Sequence, residues 1–244
     1  MKAAARFAPR RLIGPAIVAA GAFAVLISLG VWQLQRKAWK EGLIETMSQR
    51  AGARPIDLPA PATWDALMPG ADEFRRVKLR AQFVEGAKSA FVYTGGSALR
   101  DDIKTPGYFV FAPARLPNGR IVAINRGYSA QPDAKPVNGA VEIVGYLRFP
   151  ETGSLFVSDH DAAGTTWFVR DQRAMAKTLG WGEAAPFYID QESPVPAGGA
   201  PKPGPLKVQL KNDHLGYALT WFGLAAGLVA VFGVWVWSQR QKKA

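Results

Sequence analysis

The chain carries two histidines, and only one stands where a ligand would be useful. His214 sits in Asn212-Asp213-His214-Leu215-Gly216-Tyr217-Ala218-Leu219-Thr220-Trp221-Phe222, where a polar segment passes into the apolar run Gly216 to Trp237. Spacings of i, i+3 and i+7 place His214, Tyr217 and Trp221 on one face of a helix. Trp221 then lies about 10 Å further along the axis than His214, deeper than an aromatic belt at the headgroups. A ligating side chain at the membrane edge with aromatics beneath it suits a flat, apolar, membrane-soluble cofactor, and neutral imidazole is the form that binds metal. The same residues also suit an interfacial histidine with ordinary lipid-facing aromatics. The residues alone leave both readings open.

The elements that must position this stretch are two apolar runs. Ile13 to Leu34 and Gly216 to Trp237 each hold 22 residues without Lys, Arg, Asp or Glu, the length a bilayer core demands. The first run continues into Trp32-Gln33-Leu34-Gln35-Arg36-Lys37 with no small-x-small cleavage pattern, so it reads as an uncleaved anchor rather than a signal peptide. Small residues at four-residue spacing (Ala20, Ala24 and Ser28 on one run, Gly223 and Gly227 on the other) predict a close hairpin. Antiparallel pairing brings Trp32, Arg36, Lys37 and Lys40 to the membrane face of His214. There the cations can pair with the carboxylates of a haem and Trp32 can cover its ring, or the cations simply snorkel.

The net charge of +11 sits in the wrong places for nucleic acid. Four basic residues precede Leu34 and three follow Leu215, with no acidic residue in either tail, leaving 23 basic against all 19 acidic residues in the middle. That is the positive-inside pattern, not a nucleic-acid footprint. The expected organisation is a basic cytoplasmic tail (1–12), a first span (13–34), an extracytoplasmic domain (35–214), a second span (215–237) and a basic cytoplasmic tail (238–244). Twelve residues before the first span leave no room for a separate transit peptide, which favours a bacterial inner membrane with a periplasmic domain.

Within that domain Trp39 to Arg50 extends the first helix briefly, and the Pro-rich stretch Arg54 to Gly70 predicts an extended connection with one turn at Ala62–Leu67. Val77, Leu79, Ala81 and Phe83 alternate with polar residues, the period of a half-buried strand. Further strands are expected at Ser89–Thr94, Tyr108–Ala112, Arg120–Asn125, Val141–Arg148, Thr166–Val169 and Phe187–Asp190. A tight hairpin is expected at Asn118-Gly119. One helix interrupts them, Gln172 to Leu179, with Asp171 as its cap and Gly180 as its stop. Ser193 to Pro205 reads as a tether back to the membrane. The fold class is a two-helix membrane hairpin flanking a mostly β domain, a small barrel or curled sheet.

Other chemistry is sparse. The chain has no cysteine, so disulfides, thiolate metal sites and cysteine nucleophiles are excluded. Ser158-Asp159-His160-Asp161 alternates across an extended segment, a poor metal cage, and reads as a solvated loop. No zinc-protease pattern, phosphate loop or nucleophile elbow appears, and Gly95-Gly96-Ser97 lacks the flanks that would activate Ser97. Asn125-Arg126-Gly127-Tyr128 ends a buried strand with a charge. Arg126 either pairs with a carboxylate or binds an anion or partner.

Ser28-Leu29-Gly30-Val31-Trp32-Gln33-Leu34-Gln35-Arg36-Lys37-Ala38-Trp39-Lys40 and Asn212 to Phe222 resemble the two signatures of the surfeit locus protein 1 family, assembly factors of cytochrome c oxidase. Glu73-Phe74-Arg75-Arg76-Val77, Gly107-Tyr108, Asn125-Arg126-Gly127-Tyr128 and Trp167-Phe168-Val169-Arg170-Asp171 follow in that family's order, with Tyr128 where a Trp is expected. The resemblance covers nearly the whole chain. It implies a non-enzymatic protein that binds haem a and aids its insertion or stabilisation in the oxidase's catalytic subunit, alongside other assembly factors. Carried onto this chain, His214 is the iron ligand, Tyr217 and Trp221 are ring contacts, Trp32 is the facing wall and Arg36 is a propionate partner. Two alternatives stand beside it: a scaffold for the oxidase subunit without its own cofactor, and a two-span envelope receptor or enzyme.

Overall fold

The computed structural model describes residues 10–133, 135–137, 139–153, 160–161, 165–207 and 211–241. They form two compact units, one of residues 1–43 with 211–244 and one of residues 44–210. The first unit is built on two helices, both long and apolar enough to cross a membrane. The first, α1, runs unbroken over Arg10–Gly52, and its last turns enter the second unit. It continues well past the apolar run because Gln35 to Arg50 contains no proline and its polar side chains pair along the helix. Lys37 Nζ lies 2.7 Å from Glu41 Oε1, and Gln49 donates to Glu45 at 2.7 Å, both at i, i+4. The brief extension expected from the sequence is thus some four turns of regular helix.

The second unit is a barrel. Among the described residues the strands are β1 (Ile56–Asp57), β2 (Arg76–Phe83), β3 (Ala90–Thr94), β4 (Gly107–Arg115), β5 (Ile121–Ser129), β6 (Ala140–Arg148), β7 (Thr166–Trp167) and β8 (Ala184–Ser193). They neighbour one another in the order β1-β2-β6-β8-β5-β4-β3-β7. A further pairing of β2 with β4, through Gln82 with Arg115 and Phe83 with Ala114, closes five of them into a ring. Closure leaves β2, β4, β5, β6 and β8 without a free edge in the ring. The Asn118-Gly119 turn joins β4 to β5, with Gly119 at φ 83°, the conformation for which glycine is favoured.

Alternation decides what fills the barrel. Val77, Leu79 and Ala81 of β2 point inward with Val122, Ile124, Ile143, Leu147, Phe187 and Ile189, all buried. Trp64, on a 3₁₀ turn at Pro61–Ala66, packs edge-on against Phe187 with ring centroids 5.2 Å apart. Burying side chains of this size contributes roughly 1.5–3 kcal/mol each. The opposite faces of β4, β5 and β8 form a second core, in which Phe111, Ala123 and Tyr188 meet Met175 and Ala176. Those two residues belong to α3 (Gln172–Leu179), which follows the short α2 (Pro69–Asp72). Asp171 caps α3 by accepting from Arg173 and Ala174 N–H at 2.9 and 3.0 Å, and Gly180 ends it at φ 70°.

Two readings need correction. His160 is half-buried rather than solvated: its ring lies 4.6 Å from that of Trp167, to which it is also bridged by backbone. Ser158 and Asp159 lie outside the described residues. The Ser193 to Pro205 stretch is not a loose tether. Lys202 exchanges backbone hydrogen bonds with Tyr128 at 2.6 and 3.0 Å, and Pro201, Pro203 and Gly204 are buried. A chain so docked makes a single antiparallel bridge to β5.

Candidate functional site

Helix α4 (His214–Gln241) opens on the histidine, and its first backbone bond runs from Tyr217 N–H to the Asp213 carbonyl at 3.3 Å. The Asp213 carboxylate turns to Lys211 Nζ at 2.8 Å, and Asn212 Oδ1 is buried without a partner. The Lys211 carbonyl accepts instead from Lys40 Nζ of α1.

The imidazole of His214 is held from α1. Its Nδ1 lies 2.7 Å from Gln33 Oε1, and Gln33 is only 9% exposed. An amide oxygen only accepts, so Nδ1 is the donor and carries the proton. In the neutral ring Nε2 is then the lone-pair nitrogen, and it has no hydrogen-bond partner among the described residues. This is the arrangement in which a ligating histidine is usually oriented: one ring N–H donated to an acceptor, the other nitrogen available.

The helices meet through a face different from the one the small-residue spacing predicts. Ala20, Ala24 and Ser28 are exposed, and nothing lies within 4 Å of a Cβ built on Gly223 or Gly227. Contact is made instead by Gly30, where an added Cβ would fall 2.3 Å from a ring carbon of Phe222. Ala218 and Ala225 are the buried residues of α4. Seven residues apart, they lie on the His214 side of the helix. Nearer the chain ends the helices leave between them a cleft of about 330 Å³, lined by Ala16, Ala20 and Phe23 on one side and Leu228, Phe232 and Gly233 on the other.

Of the residues singled out in the sequence, His214 and Trp221 are half-buried, while Tyr217 stays 58% exposed on the outside of α4. Trp32 is 52% exposed. Two residues beyond Gly30, it is turned about 200° away on the helix, so it faces away from α4 rather than walling His214. Arg36 is exposed too, with its guanidinium stacked 3.9 Å from the Trp39 ring. Lys37 pairs with Glu41 on its own helix. The residue that reasoning from side-chain types passed over is Gln33. Its signal was an amide inside an apolar run, three residues after a glycine and so on the same helix face.

Two motifs of the barrel domain, around Glu73 and Asn125, meet in one buried polar network. Arg148, on β6, donates to Glu73 Oε1 at 2.8 Å and to Asp190 Oδ2 at 2.9 Å. Asn125 donates to the other Asp190 oxygen at 2.5 Å and accepts from Gly127 N–H at 3.1 Å. The Phe74 ring covers the Arg148 guanidinium at 4.5 Å, and Phe74 itself holds φ at 64°, a conformation a non-glycine residue keeps only when its surroundings enforce it. Arg170 pairs with Glu151 at 3.2 Å over the ring of Phe109. Tyr188 is fully buried beside Arg148, and burial pushes its hydroxyl well above the usual tyrosine range.

Similarity to known proteins covers most of the chain. A model of the SURF1 family matches residues 20–226, from within α1 to the middle of α4. Surfeit locus protein 1 of Takifugu rubripes is 31% identical over 223 residues, covering 83% of this chain and 89% of the relative. Surfeit locus protein 1 of Mus musculus is 33% identical over 220 residues, covering 83% and 69%. A SURF1-like protein of Drosophila melanogaster is 33% identical over 222 residues, covering 83% and 71%. The match spans both apolar helices and the barrel between them, and the chain belongs to the SURF1 family.

Proposed function

We propose that this protein is a membrane-bound, non-enzymatic assembly factor for haem–copper cytochrome c oxidase, and that it holds haem a as cargo with His214 as the axial ligand of the iron. The observation that carries the reading is the Gln33–His214 bond. It fixes Nδ1 as the protonated nitrogen and leaves Nε2 as a neutral donor at the end of a membrane hairpin. Tyr217 and Trp221 offer aromatic surface on the same helix, and the exposed Arg36 offers a guanidinium for a propionate. Trp32 does not fit as a wall facing His214 within one copy of the chain.

In this role the protein's residues bind and orient rather than react. Gln33 sets the ring's tautomer, and the apolar helix surfaces keep a hydrophobic cofactor out of water. The partners are the catalytic subunit of the oxidase and its other assembly factors. The location is a bacterial inner membrane with both termini cytoplasmic and the barrel periplasmic, as the basic tails favour.

The test is an absorption spectrum of the detergent-purified protein from cells that make haem a, beside the His214→Ala variant. A haem a band present in the first and lost in the second is the expected result. A band kept at full intensity by His214→Ala would remove His214 as the ligand. No band in either, with the oxidase subunit still co-purifying, would replace the cofactor reading by a scaffold.

A further inference from the structure

Three arginines are buried among the described residues: Arg100, Arg126 and Arg148, at 5–6% exposure. Two have carboxylates. Arg100 Nε lies 2.8 Å from Asp102, and Arg148 is held between Glu73 and Asp190. Arg126 has none among the described residues. Its Nη2 donates to the Lys135 carbonyl at 2.8 Å and its guanidinium lies 5.2 Å from the centre of the Phe83 ring. Burial pulls its pKa down, with no acidic group to offset the effect. A desolvated cation without a counter-charge is a costly thing to keep, and the fold goes out of its way to place this one.

The device is a bulge. Phe111 pairs with Asn125 and Phe109 with Tyr128, so Arg126 and Gly127 together oppose Val110 alone. Gly127 takes φ 111°, and a Cβ there would collide with the backbone of Lys202 and Pro203. The bulge turns Arg126 onto a cavity of about 280 Å³. Phe83 and Val141, which pack on the barrel core, form its floor. Pro136 and Val137 wall one side, and Pro194 and Pro196 the other. Gln191 fixes the second wall by donating to the Pro194 carbonyl at 2.7 Å. Lys135, next to the lining residue Pro136, is an exposed cation outside the lining, with its Nζ 3.8 Å from the Cβ position of Gly198.

We infer that this cavity receives the C-terminal carboxylate of a protein partner, together with an apolar last residue. The ligand class follows from the chemistry. An apolar, proline-walled floor takes a small hydrophobic side chain. A buried guanidinium whose Nε and Nη1 have no partner among the described residues takes a carboxylate in bidentate fashion, and the nearby Lys135 favours an anion's approach. A cavity walled on two sides and floored by the barrel suits a chain end better than a strand passing through. This site involves neither His214 nor the membrane helices, and it stands whether or not the protein carries haem.

The test uses the full-length protein in detergent and the peptide acetyl-Ala-Ala-Val, with a free C-terminal carboxylate or with a C-terminal amide, measured by calorimetric titration. A third peptide, amide-terminated with an internal Glu, separates a chain end from an acidic side chain. The free acid should bind at least about ten-fold more tightly than either other peptide, the discrimination a charge-assisted bidentate contact provides. Arg126→Gln should abolish the preference and Arg126→Lys should keep part of it. Val137→Glu, a loop change that supplies a carboxylate to the cavity and leaves the barrel core intact, should weaken binding by about ten-fold or more without lowering Tm. Equal binding of acid and amide, tighter binding of the internal-Glu peptide, no binding at about 1 mM, or unchanged binding by Arg126→Gln or Val137→Glu would overturn the assignment.

Discussion

Gly30 of α1 lies against the ring of Phe222 of α4, so close that a Cβ added there would fall 2.3 Å from the nearest ring carbon. Nothing comparable constrains Gly14, Gly21, Gly223 or Gly227, which have open space where a Cβ would go. Gly30→Ala should therefore push the helices apart at the level of Gln33 and His214. The cost should be about 1–3 kcal/mol, the usual range for overpacking. Thermal unfolding in detergent would show it as a lowered Tm. Phe222→Ala should make the Gly30→Ala change nearly neutral, because the ring it collides with is gone. If both backgrounds lost the same stability, the contact would not be what requires the glycine.

Gln33 offers a separate handle on His214. Gln33→Leu removes the acceptor of the Nδ1 proton without touching the histidine. On the haem-carrier reading, affinity for the iron should fall by about 10–100-fold, the usual effect of removing a partner that orients a ligand. Gln33→Glu keeps an acceptor at that position and should retain most of it. Haem occupancy read from the absorption spectrum distinguishes the three proteins, and equal occupancy in all of them would deny Gln33 any part in positioning the ring.

Much of the barrel was legible from local signals. The alternation over Val77 to Phe83 is β2, the Asn118-Gly119 pair is its hairpin turn, and Asp171 and Gly180 bound α3 where their side-chain chemistry says they must. The sequence left a barrel and a curled sheet open, because the deciding β2–β4 pairing joins residues some thirty positions apart through two residue pairs only. The extension of α1 over Trp39 to Arg50 was legible, and the helix runs two residues further, to Gly52. Hydropathy marks where the apolar stretch stops, whereas the helix stops where its last turn docks, with Ala51 packed against Phe74 and Tyr146. The site followed the same division. His214 stood out by residue type, but the face it presents was set by one glycine meeting one aromatic ring. A regular spacing of small residues could not reveal that.

Tyr146 gives the protein an alkaline limit. Burial, with the Glu192 carboxylate beside it, pushes its hydroxyl up to about 12 from an ordinary 10.0. Between those values the unfolded chain has released a proton that the folded chain still holds. Stability is therefore whole below pH 10 and falls as pH rises through the window, by up to about 2 kcal/mol. Tyr146→Phe cannot ionise, so its unfolding free energy should be flatter over that range. Denaturant unfolding at a series of alkaline pH values compares the two, and parallel curves would show that Tyr146 does not set the limit.

Arg148 is where the domain is most exposed to a single change. Its guanidinium sits between Glu73 and Asp190, the second of which also holds Asn125. Replacing it by Met keeps bulk under the Phe74 ring but leaves two carboxylates close together in a buried site with no cation between them. Breaking a buried pair by removing one partner costs about 3–5 kcal/mol, a large share of what a domain has. The variant should show a strongly reduced Tm, and Phe74, at φ 64° and stacked on Arg148, should lose the contact that holds it there. A double variant, Arg148→Met with Asp190→Asn, removes one of the stranded charges and should recover part of the loss. The recovery measures how much of the cost is unpaired charge and how much is lost packing. If the double variant were no more stable than the single one, packing rather than electrostatics would be what Arg148 supplies.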